Sequence, residues 1–433
     1  MDGLTQMHSP SEPRLERTID EIPEEQLDHD LAEARRLLRD GDREGAVRQT
    51  LETLNKGGIG MMTLAEFRSI LDAAGRDDIA SKIREQMLGV LDTVEKDKIE
   101  RPQELAHAAM IRLELDDVVG AERCAANAFA AAPTDHKLLF LFTLAMLKAD
   151  TFALHRLNPE PALAGVENAV ALLSSLASML GNFGHDDDAL ALLDSCERHC
   201  NTPADRTRID SLRAGLTDQD LAIDQRTMAT GIFDHFAESY DQKLAHLGNN
   251  GPEIIAEALQ ILGLPADGSR DILDAGCGTG LCAPYLRPYA RHLHGLDLSI
   301  PMLEKCRAKD SFDLLTRTDL AVRDTFPQGD FDLAVSGDVL VYFGALDTVF
   351  ANIFDILRPG GRFIFTVEEA PTPAPARGYG YTPSGRNHHS EGYIRDVLAR
   401  TGFGTVDLMH RDTLRFEFGN PIAGLAMSAC KPV

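Results

Sequence analysis

The stretch 271–280, DILDAGCGTG, constrains this 433-residue chain more than any other. A short apolar run reaches an acid, Asp274, and passes straight into glycines at alternate positions, Gly276, Gly278 and Gly280, with Ala275 and Cys277 among them. Glycine has no Cβ, so backbone here can lie against a ligand that another residue would hold off. The pattern predicts a strand, a tight loop and the opening of a helix whose free N–H groups face the same space. With an acidic acceptor beside it, such a loop suits a nucleoside that carries hydroxyls and an amino-acid tail. A dinucleotide fits less well, because the G-x-G-x-x-G fingerprint needs a third glycine where this chain has Leu281.

Further strand tips follow in order. The run 292–299, HLHGLDLS, ends at Asp297 with Leu298 beside it, 23 residues past Asp274, which leaves room for a helix and a return strand. An acid at the tip of a second strand accepts ribose hydroxyls in nucleotide-binding sheets, while Ser299 suits the N-cap of a helix over 300–308. The run 314–320, LLTRTDL, gives a third tip with Asp319 and Leu320, and 331–340, FDLAVSGDVL, a fourth with Ser336, Gly337 and Asp338. In 356–369, ILRPGGRFIFTVEE, a helix ends at Leu357, a Pro-Gly-Gly turn intervenes, and a fifth strand begins. Two last apolar runs, TVDLMHRDTLRFEFG and PIAGLAMSACKP, make a terminal hairpin. Any one acid reads equally well as a helix cap; three at successive strand ends form a pattern that capping alone does not produce.

In these segments the chain resembles class I S-adenosylmethionine-dependent methyltransferases. The closer resemblance is to a predicted bacterial group with an N-terminal tetratricopeptide region, carried by FDHFAESYDQKL, GCGTGLCAPYLRPYARHLHGLDLS, GDVLVYFG and SGRNHHSEGYIRDVLARTGF. The resemblance implies an α/β fold: a seven-stranded Rossmann-like domain behind an all-α, tetratricopeptide-like array. It implies S-adenosylmethionine as cofactor, with Asp319 at the adenine amino group, Leu320 against the ring, and Ser336 and Asp338 near the reacting methyl. Tyr240, on a helix with Phe233 and Phe236 at spacings of three and four, would lie over the methionine moiety as part of a lid. The Pro- and Gly-rich 370–385 is too broken for helix or strand and should lie over the carboxyl ends of the sheet. Just beyond it, Arg386 suits an acceptor carboxylate and His389 a base. The group places an aromatic or small pair before the tail histidine, whereas Asn387 and His388 stand here, which leaves His388 without an assigned role.

Composition bounds the rest. A net charge of −25 argues against nucleic acid and anionic membranes as partners. No apolar run is long enough to span a bilayer, the first residues lack a signal-peptide pattern, and seven scattered cysteines point to reduced thiols in the cytoplasm. Residues 1–25 read as a disordered leader, 26–222 as helical hairpins, 223–268 as connecting helices and lid, and 269–433 as the α/β domain. In the hairpins a Gly- or Asp-containing turn precedes Ala46, Ala80, Ala121 and Ala189, at intervals of 34, 41 and 68 residues. Thirty-four is the tetratricopeptide period. Such an array offers a scaffold for a protein partner, for a homodimer or for substrate, or serves only as a buttress. The acceptor is expected to be a small molecule methylated on oxygen; a protein acceptor held by the array is the alternative.

Overall fold

A computed structural model describes residues 23–39, 41–57, 59–96, 101–164, 166, 168–217, 248–327 and 330–433. The leader and the Phe233–Phe236–Tyr240 stripe therefore lie outside the described residues. The chain forms two compact units, Met1–Glu167 and Asn168–Val433.

The first unit is all helix: α1 (Glu24–Arg39), α2 (Arg43–Lys56), α3 (Met61–Ala73), α4 (Asp77–Lys96), α5 (Pro102–Glu114), α6 (Val118–Ala131), α7 (His136–Lys148) and the single turn α8 (Glu160–Leu163). Consecutive helices pack as pairs, α1 on α2, α3 on α4 and α5 on α6. The second unit opens with another pair, α9 (Ala169–Asn182) and α10 (Asp186–Cys196), followed by α11 (Pro203–Thr217). Each pair turns through a residue with left-handed backbone, Gly41, Gly75, Asp116 or Gly184, at φ of 80°, 82°, 55° and 78°. Five residues later in every case comes one of the alanines singled out above, Ala46, Ala80, Ala121 and Ala189, none more than 2% exposed. The turn needs an unhindered backbone and the crossing needs a methyl-sized side chain, so a short motif repeats where the rest of the sequence has drifted. Helical chain runs past the unit boundary, since α9–α11 belong to the α/β unit and not to the first.

In the second unit a mixed sheet runs β3-β2-β1-β4-β5-β9-β8, built from β1 (Arg270–Ala275), β2 (Ala290–Asp297), β3 (Leu314–Arg317), β4 (Phe331–Ser336), β5 (Leu357–Glu369), β8 (Val406–Glu417) and β9 (Asn420–Cys430). The first five strands pair in parallel, and β9 is antiparallel to both β5 and β8. These seven strands, with an antiparallel hairpin at the end, are the ones expected; two short strands extend the sheet to nine. The β8–β9 turn is two residues, Phe418 and Gly419, at φ of 51° and 75°, the backbone that suits a tight twisted hairpin. Parallel strands bury both faces, and alternate residues divide between two cores. Leu273, Ala334, Phe363 and Phe365 face α15 (Asp347–Ile356) and α16 (Glu391–Thr401), while Ile272, Leu333, Val335 and Ile364 face α12 (Gly251–Ile261).

Three local expectations change. Pro359-Gly360-Gly361 does not precede the fifth strand but lies within it: β4 residues 331 and 333 pair with β5 residues 357 and 362, so the extra residues bulge out. The helix after the glycine loop is only the single turn α13 (Ala283–Leu286). The segment 370–385, read as irregular, holds a short strand, β6 (Tyr379–Tyr381), which pairs with another just beyond it, β7 (Asn387–His389). They form because β5 outlasts β4. Ser336 pairs with Phe365, beyond which the β4-side edge of β5 is bare, and β7 fills it by pairing with Glu368 and Glu369.

Candidate functional site

The glycine loop is tied to β2. The Gly276 and Cys277 N–H groups both donate to the Leu296 carbonyl at 2.8 Å, and the Gly278 N–H donates to Asp297 Oδ2 at 2.9 Å. Asp297 Oδ1 accepts from the Ser299 N–H at 2.9 Å, and Ser299 caps the helix α14 (Ile300–Ala308). Two glycines are needed for different reasons. At Gly276, with φ 87°, a Cβ would sit 2.5 Å from both methyls of Val339; at Gly278, with φ 53°, it would meet nothing within 4 Å, because the loop there borders open space. That space is a crevice of about 610 Å³, partly open to solvent. Its walls are Gly276–Cys282 without Gly280, Asp297 and Met302 on one side, and Asn249, Pro252, Gly337, Asp338, Val339 and Tyr342 on the other.

Behind the loop, Asp274 is 1% exposed and its Oδ2 has no hydrogen-bond partner. Burial, with the nearby Asp297 charge added, pushes its carboxyl up to about 7. A buried acceptor left unsatisfied costs free energy, and a cationic or hydrogen-bond-donating ligand in the crevice relieves it. Ala275 is packed into the sheet core, and its carbonyl accepts from the Ser336 hydroxyl at 2.9 Å, which joins β1 to β4. Ser336 is fully buried and presents no group to the crevice wall.

The other residues singled out from sequence fall into two groups. Gly276, Cys277, Gly278, Asp297 and Asp338 meet at the crevice. Gly280 lies behind its wall, where a Cβ would press on Cys306 Sγ at 3.0 Å. Leu298, Asp319 and Leu320 are not among the wall residues: the Leu298 carbonyl accepts from Arg317, Asp319 Oδ1 accepts from the Ala321 N–H at 2.9 Å, and Leu320 packs into the core with Leu296 and Phe326. Asp319 thus caps the turn that follows it, and Tyr240 lies outside the described residues.

Arg386 and His389, the two expected to touch an acceptor, are held elsewhere. His389 is fully buried, stacks on Tyr393, and donates from Nε2 to the Gly344 carbonyl at 2.9 Å. Burial lowers its pKa to about 4, so the ring stays neutral. Arg386 donates from Nη1 to Glu417 Oε1 at 2.6 Å, so its charge is already committed to a carboxylate of the chain itself. Burial opposes its charged form, and Tyr342, Glu417, Asp338 and Glu368 together outweigh that.

Glu417 leads to a cluster that sequence reasoning did not find. Arg415, fully buried, donates to Glu417 at 2.9 Å, to Glu368 at 2.5 Å and to Asp338 at 3.3 Å. Two guanidiniums and two carboxylates therefore join Asp338, a third carboxylate, which lines the crevice. The only signal in the sequence was the alternation in RFEF, and it is inverted, with Arg415 and Glu417 inside and Phe416 41% exposed. Among the described residues no group of three or more His, Cys, Asp or Glu side chains is placed to hold a metal ion, and no helix is long and apolar enough to cross a membrane.

Comparison with known proteins agrees with the sheet. Residues 273–365 match the family model described as a methyltransferase domain. A malonyl-[acyl-carrier protein] O-methyltransferase of Pseudescherichia vulneris is 30% identical over 146 residues, covering 33% of this chain and 54% of that protein. Aklanonic acid methyltransferase DauC of a Streptomyces species is 30% identical over 151 residues, covering 33% of this chain and 65% of its own. Among solved structures, an S-adenosylmethionine-dependent methyltransferase from Mesorhizobium loti is 29% identical, covering 41% of this chain and 98% of that one, with a TM-score of 0.33. The chain thus spans about half the length of the first of these curated relatives. The second unit of this protein carries a methyltransferase domain, with its glycine loop lining the crevice between Asp297 and Asp338.

Proposed function

We propose that the protein transfers a methyl group from S-adenosylmethionine to a small acceptor, through oxygen in the favoured case. The observation that carries this reading is the conjunction at the crevice: a glycine loop open above Gly278, Asp297 at its lip, and the orphaned Asp274 carboxylate behind it. The residues present fit the cofactor. Asp297 lies where hydroxyls would meet it, Asp274 lacks a donor that an ammonium supplies, and Met302 offers an apolar wall. When bound, the cofactor supplies a methyl carbon already activated on a sulfonium. The chain's part is to align the acceptor with that carbon and keep water away. The aklanonic acid methyltransferase supports a small acceptor, and the malonyl-[acyl-carrier protein] O-methyltransferase supports oxygen as the methylated atom.

The repeated turn-and-alanine motif supports reading the helical pairs as a degenerate tetratricopeptide array, a scaffold for a partner or for a second copy. Titration calorimetry with S-adenosylhomocysteine tests the site. Wild type should bind, and Asp297→Ala, which frees the Gly278 and Ser299 N–H groups, should bind at least tenfold more weakly. Equal affinity would refute the site. Methyl-labelled cofactor offered to a cell extract split into small-molecule and protein fractions tests the acceptor, and label confined to protein would overturn the small-acceptor reading.

A further inference from the structure

The buried cluster behind the crevice carries one carboxylate more than it has guanidiniums: Asp338, Glu368 and Glu417 against Arg386 and Arg415. Two of the three are held by short charge-assisted bonds, Glu368 at 2.5 Å to Arg415 and Glu417 at 2.6 Å to Arg386 and 2.9 Å to Arg415. Among the described residues Asp338 makes two long ones, 3.3 Å to Arg415 and 3.3 Å to Asn249. It is also the one of the three that lines the crevice. Its backbone takes a left-handed φ of 55°, and its N–H is fixed to Thr366 Oγ1 at 2.8 Å, so the chain bends just past the strand end, where Asp338 lines the crevice.

We propose that Asp338 is the catalytic proton acceptor and that the substrate is a proton-bearing nucleophile, a hydroxyl or an amine, rather than a free carboxylate. The inference rests on the methyl-transfer reading of the crevice. The acceptor's O–H or N–H donates to Asp338. As the bond from that oxygen or nitrogen to the methyl carbon forms, the carbon–sulfur bond breaks and its electron pair stays on sulfur, leaving a neutral thioether. The acceptor's proton passes to Asp338. The cluster then holds two carboxylates against two guanidiniums, and the positive charge lost at sulfur matches the negative charge lost at Asp338. A carboxylate acceptor has no proton to give and would add a further negative charge to a wall that already has a surplus, with Arg386 and Arg415 both engaged. Burial raises the Asp338 pKa, and Arg415 and Arg386 oppose that rise. The groups that sense its titration are Arg415 and Glu417 on β8, Glu368 on β5 through Arg415, Arg386 before β7, Tyr342 on the crevice wall and Cys282 beside the glycine loop.

The test uses the full-length protein and D338N, an isosteric change that suits left-handed backbone and so keeps the turn. S-adenosylhomocysteine affinity should stay within threefold. Turnover on the small-molecule fraction of a cell extract, read with methyl-labelled cofactor and mass spectrometry, should fall at least a hundredfold and lose the acid limb of its pH profile. The label should sit on hydroxyl oxygen or amine nitrogen. Infrared difference spectra across a pH titration should show, besides the Asp274 carboxyl that both proteins keep, a protonated-carboxyl band in wild type that D338N lacks. Turnover in D338N above a tenth of wild type, a missing infrared band, or label found in a methyl ester overturns this proposal alone. A protein that does not bind S-adenosylhomocysteine, or labels nothing in the fraction, sinks the underlying reading and this one with it.

Discussion

At the scale of single residues, the site trades stability for a charge it needs. Asp274 has a folded pKa of about 7 against the ordinary 3.8, a rise caused first by burial. The folded state therefore binds more protons than the unfolded one between these values, and stability is lost as pH rises through about 7. Replacing it by Asn removes that loss. Asp274→Asn is predicted to be more stable than wild type at pH 8 by up to roughly 4 kcal/mol, with little difference below pH 4, as read from urea melts. The same variant should weaken S-adenosylhomocysteine at least tenfold, which calorimetry checks. The two crevice glycines separate strain from occlusion. Gly278→Ala is predicted to cost about 1–2 kcal/mol, from backbone strain alone, yet to cut cofactor affinity sharply. Gly276→Ala adds collision with Val339 to the same strain and should destabilise by at least about 2–3 kcal/mol in the same melts.

At the scale of elements, the β6–β7 hairpin is the joint of the second unit. On one side, the Thr382–Pro383 backbone is seated on α9 and α11: the Ser178 hydroxyl donates to the Pro383 carbonyl at 2.8 Å, and a Cβ at Gly215 would stand 2.8 Å from the Thr382 carbonyl oxygen. On the other side, the Asn387 side-chain amide donates to the Val341 carbonyl at 3.0 Å and His389 binds Gly344, fixing the turn that bears Tyr342. In a solvated helix, Gly→Ala stabilises by about 1 kcal/mol. Gly215→Ala is predicted to reverse that sign and destabilise by about 1–3 kcal/mol through the collision, measurable by thermal melting. Here lies the physical reason that Arg386 and His389 were misread from sequence. Both follow the Pro- and Gly-rich 370–385 and were read by their chemistry alone, whereas the bare edge of β5 takes up 387–389 as a strand, with His389 buried and Arg386 paired with Glu417.

At the scale of the molecule, helices and α/β sheet do not divide where the secondary structure changes. The second unit begins at Asn168 and takes α9–α11 with it. A fragment of residues 168–433 is predicted to fold and to bind S-adenosylhomocysteine within threefold of the full chain. A fragment starting at 223, which strips α9–α11 from the Thr382–Pro383 seat, should melt lower. Circular dichroism and calorimetry on the two fragments check this, and a 168–433 fragment that fails to fold would make the unit boundary wrong.

What the sequence determined by itself is local and periodic. Apolar runs ending in acids set the order of the parallel strands, the alternate glycines set the loop beneath the crevice, and a left-handed turn followed five residues later by alanine set the helical pairs. These are legible because each depends on neighbours a few residues away. The tertiary structure alone decided which acids face the crevice: Asp297 and Asp319 look alike in sequence and each accepts from the N–H two residues on, but Asp297 also holds the Gly278 N–H and lines the crevice, and Asp319 does not line it. It alone assembled Asp338, Glu368, Arg386, Arg415 and Glu417. Charge balance in a buried cluster depends on side chains brought together from four separated segments, and no spacing along the chain records it.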